Sequence, residues 1–261
     1  MSAPTTTDPP VAVGGAAAPW RRVLAQGRFE TRAVLRNGEQ LMVTVILPVL
    51  LLVGLNGAGF VELDTGGAAR IDLLTPGVLA FAAMASAFTS PAIATAFDRR
   101  NGVLRLLATT PLGPTGLLAG KLVSVLAVQV VQVVVLGGTA AALGWRPTMS
   151  GVGLALVCWV LGTAAFVALA LLAAGTVRAE AVIALANILL VVLALGGVVL
   201  PADVLPAPLA GVVALLPSGA LGAALRATLL DGTVPLGPLA VLAAWAAALS
   251  AAAARWFRWS A

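Results

Sequence analysis

The chain reads as an all-α integral membrane protein with six transmembrane helices. An interfacial helix precedes the first of them, and short outer re-entrant helices precede the last. Three observations predict this. Hydrophobic residues make up 61% of the 261 residues and charged ones only 10%, whereas soluble domains carry roughly a quarter charged residues. Six apolar runs, near 40–60, 73–97, 117–143, 151–176, 180–200 and 236–254, meet the ~20 residues needed to cross a bilayer core. The basic residues also segregate. With the N-terminus inside, Arg21, Arg22, Arg28, Arg32, Arg36, Arg99, Arg100, Arg105, Lys121, Arg178, Arg255 and Arg258 share the inner side, leaving only Arg70, Arg146 and Arg226 outside. By the positive-inside rule both termini are cytoplasmic, and the net charge of +5 reflects orientation in a membrane rather than nucleic-acid binding.

Taken in order, residues 1–18 are rich in Pro, Thr and Ala, with Asp8 the only charge. They lack a basic n-region and an apolar core, so they read as a disordered cytoplasmic tail and not a signal peptide. Residues 19–261 form a single transmembrane domain. It opens with PWRRVLAQGRFETRAVLRNG, in which Trp20, Val23, Leu24, Gly27, Thr31, Val34 and Leu35 share one helical face. Arg21, Arg22, Arg28, Arg32 and Arg36 fall mostly elsewhere, as expected of a basic amphipathic helix lying in the interface. Pro48, Pro76 and Pro91 are expected to kink the first two spans, which membrane helices tolerate.

Between the second and third spans lies FDRRNGVLRLLATTPLGPTGLLAGK, residues 97–121. A connector needs only a few polar residues. This one instead carries a short helix pattern, Val103, Leu104, Leu106 and Leu107, stopped at Thr109-Thr110-Pro111 and flanked by Asp98, Arg99, Arg100 and Arg105. It reads as a docking surface. Residues 201–237 hold two apolar pieces, near 207–215 and 218–230, separated by prolines. Each is too short to cross, so both read as re-entrant or interfacial outer helices. Making one a seventh span would place the basic C-terminus outside, against the arginine bias. The closing RWFRWS reads as an interfacial anchor.

Several chemistries are excluded. Cys158 is the single cysteine and there is no histidine, so neither a disulfide framework nor a metal site of those ligands is available. GLLAGK over 116–121 lacks the glycine that a phosphate loop needs at Thr115 and the hydroxyl it needs at Leu122. ATP chemistry therefore belongs to another chain. Lys121 and Glu180 sit at span ends, where snorkelling is cheap, and no acid, base or ion cage lies inside a span. That argues against a gradient-driven carrier and against a membrane hydrolase. The second span is rich in small residues and hydroxyls, the pattern of close helix packing. Its Ser86, Thr89 and Ser90, with Asn187 of the fifth span, are candidates to line a transport path at a dimer seam. Gln129 and Gln132 are expected to bond neighbouring helices.

DRRNGVLRLLATTPLGPTGLLAGK closely resembles the cytoplasmic loop of ABC-2 type permeases, the membrane subunits of bacterial ABC exporters. That family shows an acidic residue, a Gly-containing helix, a Thr-Pro-Leu step and a Gly-Lys entering the next span. Here Asp98, Gly102, Thr110-Pro111-Leu112 and Gly120-Lys121 hold those places. Asp98 stands where glutamate is usual, and Arg105 where an acid is common. The resemblance extends over residues 19–261. It implies that the amphipathic helix with Trp20, Arg21, Arg22, Arg28 and Arg32 is an elbow helix. It also implies a cytoplasmic coupling helix, with Asp98, Arg99, Arg100, Gly102, Leu104, Arg105, Leu107, Thr110 and Pro111 meeting an ATPase subunit. The chain would then be a non-catalytic permease in the plasma membrane, pairing with a second permease and two nucleotide-binding subunits that carry ATP and Mg. Its cargo would be a drug, antibiotic or lipid, because uncharged spans favour an amphiphilic or apolar molecule. A membrane-anchoring or sensory subunit, or a gradient-driven carrier, are the alternative readings.

Overall fold

The computed structural model describes residues 17–57, 69–199 and 205–257, and the regular elements among them are helices. Most of the expected tail lies outside the described residues, as do Glu62, Asp64, Asp203, Arg258 and Trp259. In chain order the helices are α1 (Pro19–Arg36), α2 (Gly38–Gly57), α3 (Arg70–Arg100), α4 (Val103–Ala108), α5 (Gly113–Ala142), α6 (Val152–Thr176), α7 (Ala179–Leu193), α8 (Ala207–Leu215), α9 (Pro217–Leu229) and α10 (Leu236–Trp256). Pro48, Pro76 and Pro91 all lie inside continuous helices.

Helices α3 and α6 form the centre. Both contribute small residues to the core, including Ala82, Ala83 and Ala87 of α3 and Ala170 and Ala174 of α6, all fully buried. Lipid tails are as apolar as leucine, so helices associate here through close packing rather than exclusion from water. α2, α5 and α10 sit at the periphery and keep Leu50, Val134 and Trp245 exposed. One polar knot joins three helices. The Gln129 amide on α5 donates to the Ala83 carbonyl at 3.0 Å and the Ser86 hydroxyl at 3.1 Å, and its oxygen accepts from Trp159 at 2.7 Å and Thr163 at 2.9 Å. All four hydrogen-bonding capacities of the amide are thereby used, as a buried amide requires. Gln132 donates to the Thr44 carbonyl of α2 at 2.9 Å.

The fifth apolar run is helical over residues 179–198 but changes its winding near the end. α7 is a 15-residue helix, about 22 Å long at the α-helical rise, and it passes into a π-turn over Ala194–Val198. Gly197 takes a left-handed φ of 74° and turns the chain. The carbonyls of Gly197 and Val198 accept from the Arg226 guanidinium of α9 at 2.8 and 3.0 Å. Among the described residues, five helices are individually long and apolar enough to cross a membrane.

α8 and α9 meet at 91°. Leu216 between them is extended (φ −78°, ψ 146°), the conformation imposed on a residue before proline. The Leu215 carbonyl at this break accepts from Trp245 Nε1 at 2.8 Å, about 13 Å along α10 at the helical rise. The far end of α9 returns to the α5–α6 connection, where Thr148 N–H donates to the Leu229 carbonyl at 2.8 Å. The pair thus turns back about halfway along α10, which makes it re-entrant and not a seventh span.

Candidate functional site

Two features meet at the end of the bundle that carries most of the arginines. The first is the short helix α4. α3 has 31 residues, about 46 Å at the helical rise, well beyond a hydrocarbon core of about 30 Å. Its last turn therefore carries Asp98, Arg99 and Arg100 past the core. Gly102 (φ 79°) and Gly113 (φ 67°) are both left-handed, a region glycine enters without a Cβ clash. They reverse the chain on either side of α4. The Thr109 and Thr110 hydroxyls cap the last carbonyls of α4, bonding Leu106 O at 2.7 Å and Leu107 O at 2.6 Å. Pro111 then forbids further helix.

Leu104 is fully buried and Leu107 half-buried, so α4 is seated on the bundle through these two. Val103, Arg105 and Leu106 face outward, Leu106 at 71% exposure. Thr110 and Pro111 are exposed beside them. Arg99 is buried and donates to the Val177 carbonyl in the α6–α7 turn. Arg100 pairs with Glu180 of α7 at 2.6 Å, an exposed contact, and lies over the Phe97 ring at 4.5 Å. Arg22 of α1 donates to the Pro111 carbonyl. Of the residues assigned to docking from sequence, Arg99 and Leu104 thus face the bundle, and Arg105 with its neighbours forms the free surface.

Helix α1 packs along α5 through a face that takes in Val23, Gly27, Thr31 and Val34 of the apolar stripe and adds polar residues beside them. Gly27 meets Val123 and Gly120 meets Gln26, so the two helices cross where neither has a side chain. Arg22, Val23, Gln26, Gly27, Glu30, Thr31 and Val34 form the packed side, while Trp20 (60%), Leu24 and Phe29 (71%) are exposed. Arg21, Arg28 and Arg32 are exposed too, with Arg21 over the Trp20 ring at 5.1 Å. The polar packed face follows from an ion pair. Lys121 does not snorkel to water; its side chain is only 3% exposed and bonds Glu30 at 2.8 Å. Glu30 is fixed in turn by Gln26 at 2.7 Å. Sequence reasoning missed this pair, although a signal existed: each helix places a glycine within three residues of one of the two opposite charges, Gly27 by Glu30 and Gly120 by Lys121.

The second feature is a cleft. A cavity of about 390 Å³ lies among α1, α2, α3 and α5, with Glu30, Asp98, Lys121 and Ser124 among its lining residues. A second, of about 540 Å³, continues among α2, α3 and α7, with Phe81, Leu47 and Leu190 in its walls. Both share Asn37, Gln40, Thr44, Ser86 and Ser90. Gln40 donates to the Ser90 hydroxyl across the shared part. Ser86 and Ser90 therefore come together here, with Thr89 in the second cavity. Asn187 stands on the exposed surface of α7, outside the cleft lining. Asp98, placed with the docking residues from sequence, lines the cleft instead of the α4 surface.

A family profile described as ABC-2 type transporter matches residues 22–230. A search of curated proteins finds no significant match. The matched stretch runs from α1 through the re-entrant pair and includes α4, the α1–α5 crossing and the cleft. On that match, the chain belongs to the ABC-2 type transporter family and is a transmembrane permease component of an ABC transporter.

Proposed function

We propose that the chain is the permease subunit of an ATP-driven exporter. It would move an amphiphilic or apolar cargo, a drug, antibiotic or lipid, from the cytoplasm or inner leaflet to the outside. The observation that carries this is the build of α4: a helix seated by Leu104, bracketed by two left-handed glycines, and presenting Val103, Arg105 and Leu106. A partner pressing on that surface would move more than a loop. Arg22 links it to α1, and Arg99 and Arg100 link its approach to the α6–α7 turn and α7. In this reading the arginine-rich end is cytoplasmic, in the plasma membrane, with both termini on that side. Two nucleotide-binding subunits dock on α4 and α1 of a permease pair, and ATP and Mg bind to those subunits. The serine-lined cleft and Asn187 on α7 would contribute to the path between paired permeases.

The test is a pull-down of the full chain, tagged at its C-terminus, from membranes under mild detergent, followed by an ATPase assay. An ATP-hydrolysing subunit is expected with the wild type and is lost with Arg105→Glu, while membrane insertion is retained. Capture of no such subunit would overturn the reading in favour of an anchoring subunit or a gradient-driven carrier.

A further inference from the structure

We infer that the cleft between α1, α2, α3 and α5 is a binding site for an amphiphile bearing one positive charge, with the Asp98 carboxylate as its counter-ion. The charge balance of the lining leads there. Lys121 is the one cation among the lining residues, and its ammonium is already bound to Glu30 at 2.8 Å. Asp98 lines the same cavity, half-buried, and forms no ion pair among the described residues. Lys121 thus serves both carboxylates, bonded to Glu30 and acting through space on Asp98, and the three groups together leave one excess negative charge facing the cavity. An anionic head would enter a site that is already net negative, and a neutral one would leave that excess charge unanswered.

A second observation points to an occupant. Ser124, one turn beyond Lys121, is 3% exposed, lines the cavity, and forms no hydrogen bond among the described residues. Its hydroxyl opens on the cavity and is available to whatever fills the space. The shape suits an amphiphile as well. The charged base leads past Ser90 into the second cavity, whose walls include Phe81 and Leu190. An apolar body can lie there while its cationic head stays beside Asp98. The cavity volumes fall in the range of about 300–1,000 Å³ usual for small-molecule sites.

The inference rests on the exporter reading only in treating the occupant as cargo. Its test is binding to the full chain in a maltoside micelle, which requires no ATPase, so failure here and failure of the exporter reading are distinguishable. The probe is tritiated tetraphenylphosphonium, with neutral triphenylphosphine oxide as competitor. Saturable binding is expected, displaced poorly by the neutral compound. Asp98→Asn should weaken it by about tenfold or more, as for loss of one member of a partly buried charge pair, while Asp98→Glu retains it. Ala94→Phe, at an exposed position lining both cavities, should obstruct binding whether or not Asp98→Asn folds. Added phosphatidylethanolamine, neutral overall because its amine is balanced by a phosphate, and anionic phosphatidylglycerol should both leave the probe bound; displacement by either at stoichiometric amounts would overturn the charge argument. No saturable binding, wild-type affinity in folded Asp98→Asn, or wild-type affinity in Ala94→Phe would each overturn the proposal.

Discussion

The two ends of this bundle are both held by glycines, but in different ways. At the arginine-rich end a Cβ added to Gly27, Gly120 or Gly175 would first meet a side chain, of Val123, Gln26 and Phe257 respectively. At the opposite end a Cβ on Gly77, Gly151 or Gly222 would first meet a backbone carbonyl, of Val199, Thr228 and Val198. One end is fitted by side chains and bound by charges, with Lys121–Glu30 buried and Arg22 and Arg99 on carbonyls. The other is fitted backbone to backbone, around a π-turn and a re-entrant pair held by Arg226. A side chain can change rotamer to make room, whereas a carbonyl inside a helix moves only with its helix. The α1–α5 crossing therefore tolerates small changes, and the contacts of α9 with the α5–α6 connection and with the π-turn fix the re-entrant helices.

The largest expected effect tests that difference directly. Gly151→Ala drives a methyl into the Thr228 carbonyl and should cost about 3 kcal/mol, the upper part of the overpacking range. Gly120→Ala meets Gln26 at Cγ and less closely at Cβ, a clash that a side-chain shift relieves in part, and gains about 1 kcal/mol of helix propensity in return, so its net cost should stay within about 1 kcal/mol. Thermal unfolding of both variants in one micelle measures this. Equal losses in melting temperature would end the proposed distinction between the two ends.

Next in size is the buried charge pair. Lys121→Met strands Glu30, whose side chain is 18% exposed, and should cost about 3 kcal/mol or somewhat less, the lower end for a broken buried pair. The double variant Lys121→Met, Glu30→Leu removes both charges and should recover most of the loss, since an apolar replacement can match a buried ion pair. A double variant no better than the single one would show that the glycine crossing, and not the charge, joins α1 to α5.

Much of this architecture was legible because membrane spans announce themselves by length and composition. The runs near 73–97, 117–143 and 236–254 correspond to α3, α5 and α10, and the proline-broken pieces after residue 201 to α8 and α9. α4 was legible too, since Gly102, Thr109-Thr110-Pro111 and Gly113 are local signals that act within a few residues. What could not be seen depended on distant partners. The stripe on α1 gave its amphipathic character, but not that Glu30 would turn toward α5, which depends on the buried Lys121 there. The turn that closes the fifth run likewise involves a distant partner, since the Gly197 carbonyl accepts from Arg226, 29 residues further on. Asp98 belonged by sequence to a charged loop, yet the last turn of α3 aims it at the cleft.

The smallest change in stability is expected on the exposed side of α4, and it separates seating from docking. Leu104 is fully buried beneath the helix and Leu106 is 71% exposed above it. Leu104→Ala should destabilise by about 2 kcal/mol, the low end for a buried leucine because a six-residue helix can settle into the gap. Leu106→Asp should stay within about 0.5 kcal/mol, as surface changes usually do. Its effect should instead appear in capture of the ATPase subunit, where a carboxylate would replace an apolar contact. Hydrogen exchange over residues 100–113 would show faster opening in Leu104→Ala and wild-type protection in Leu106→Asp. If Leu106→Asp retained full capture with α4 intact, the docking surface would have to lie on α1, and the bonds from Arg22 and Arg99 would serve only to hold the loop.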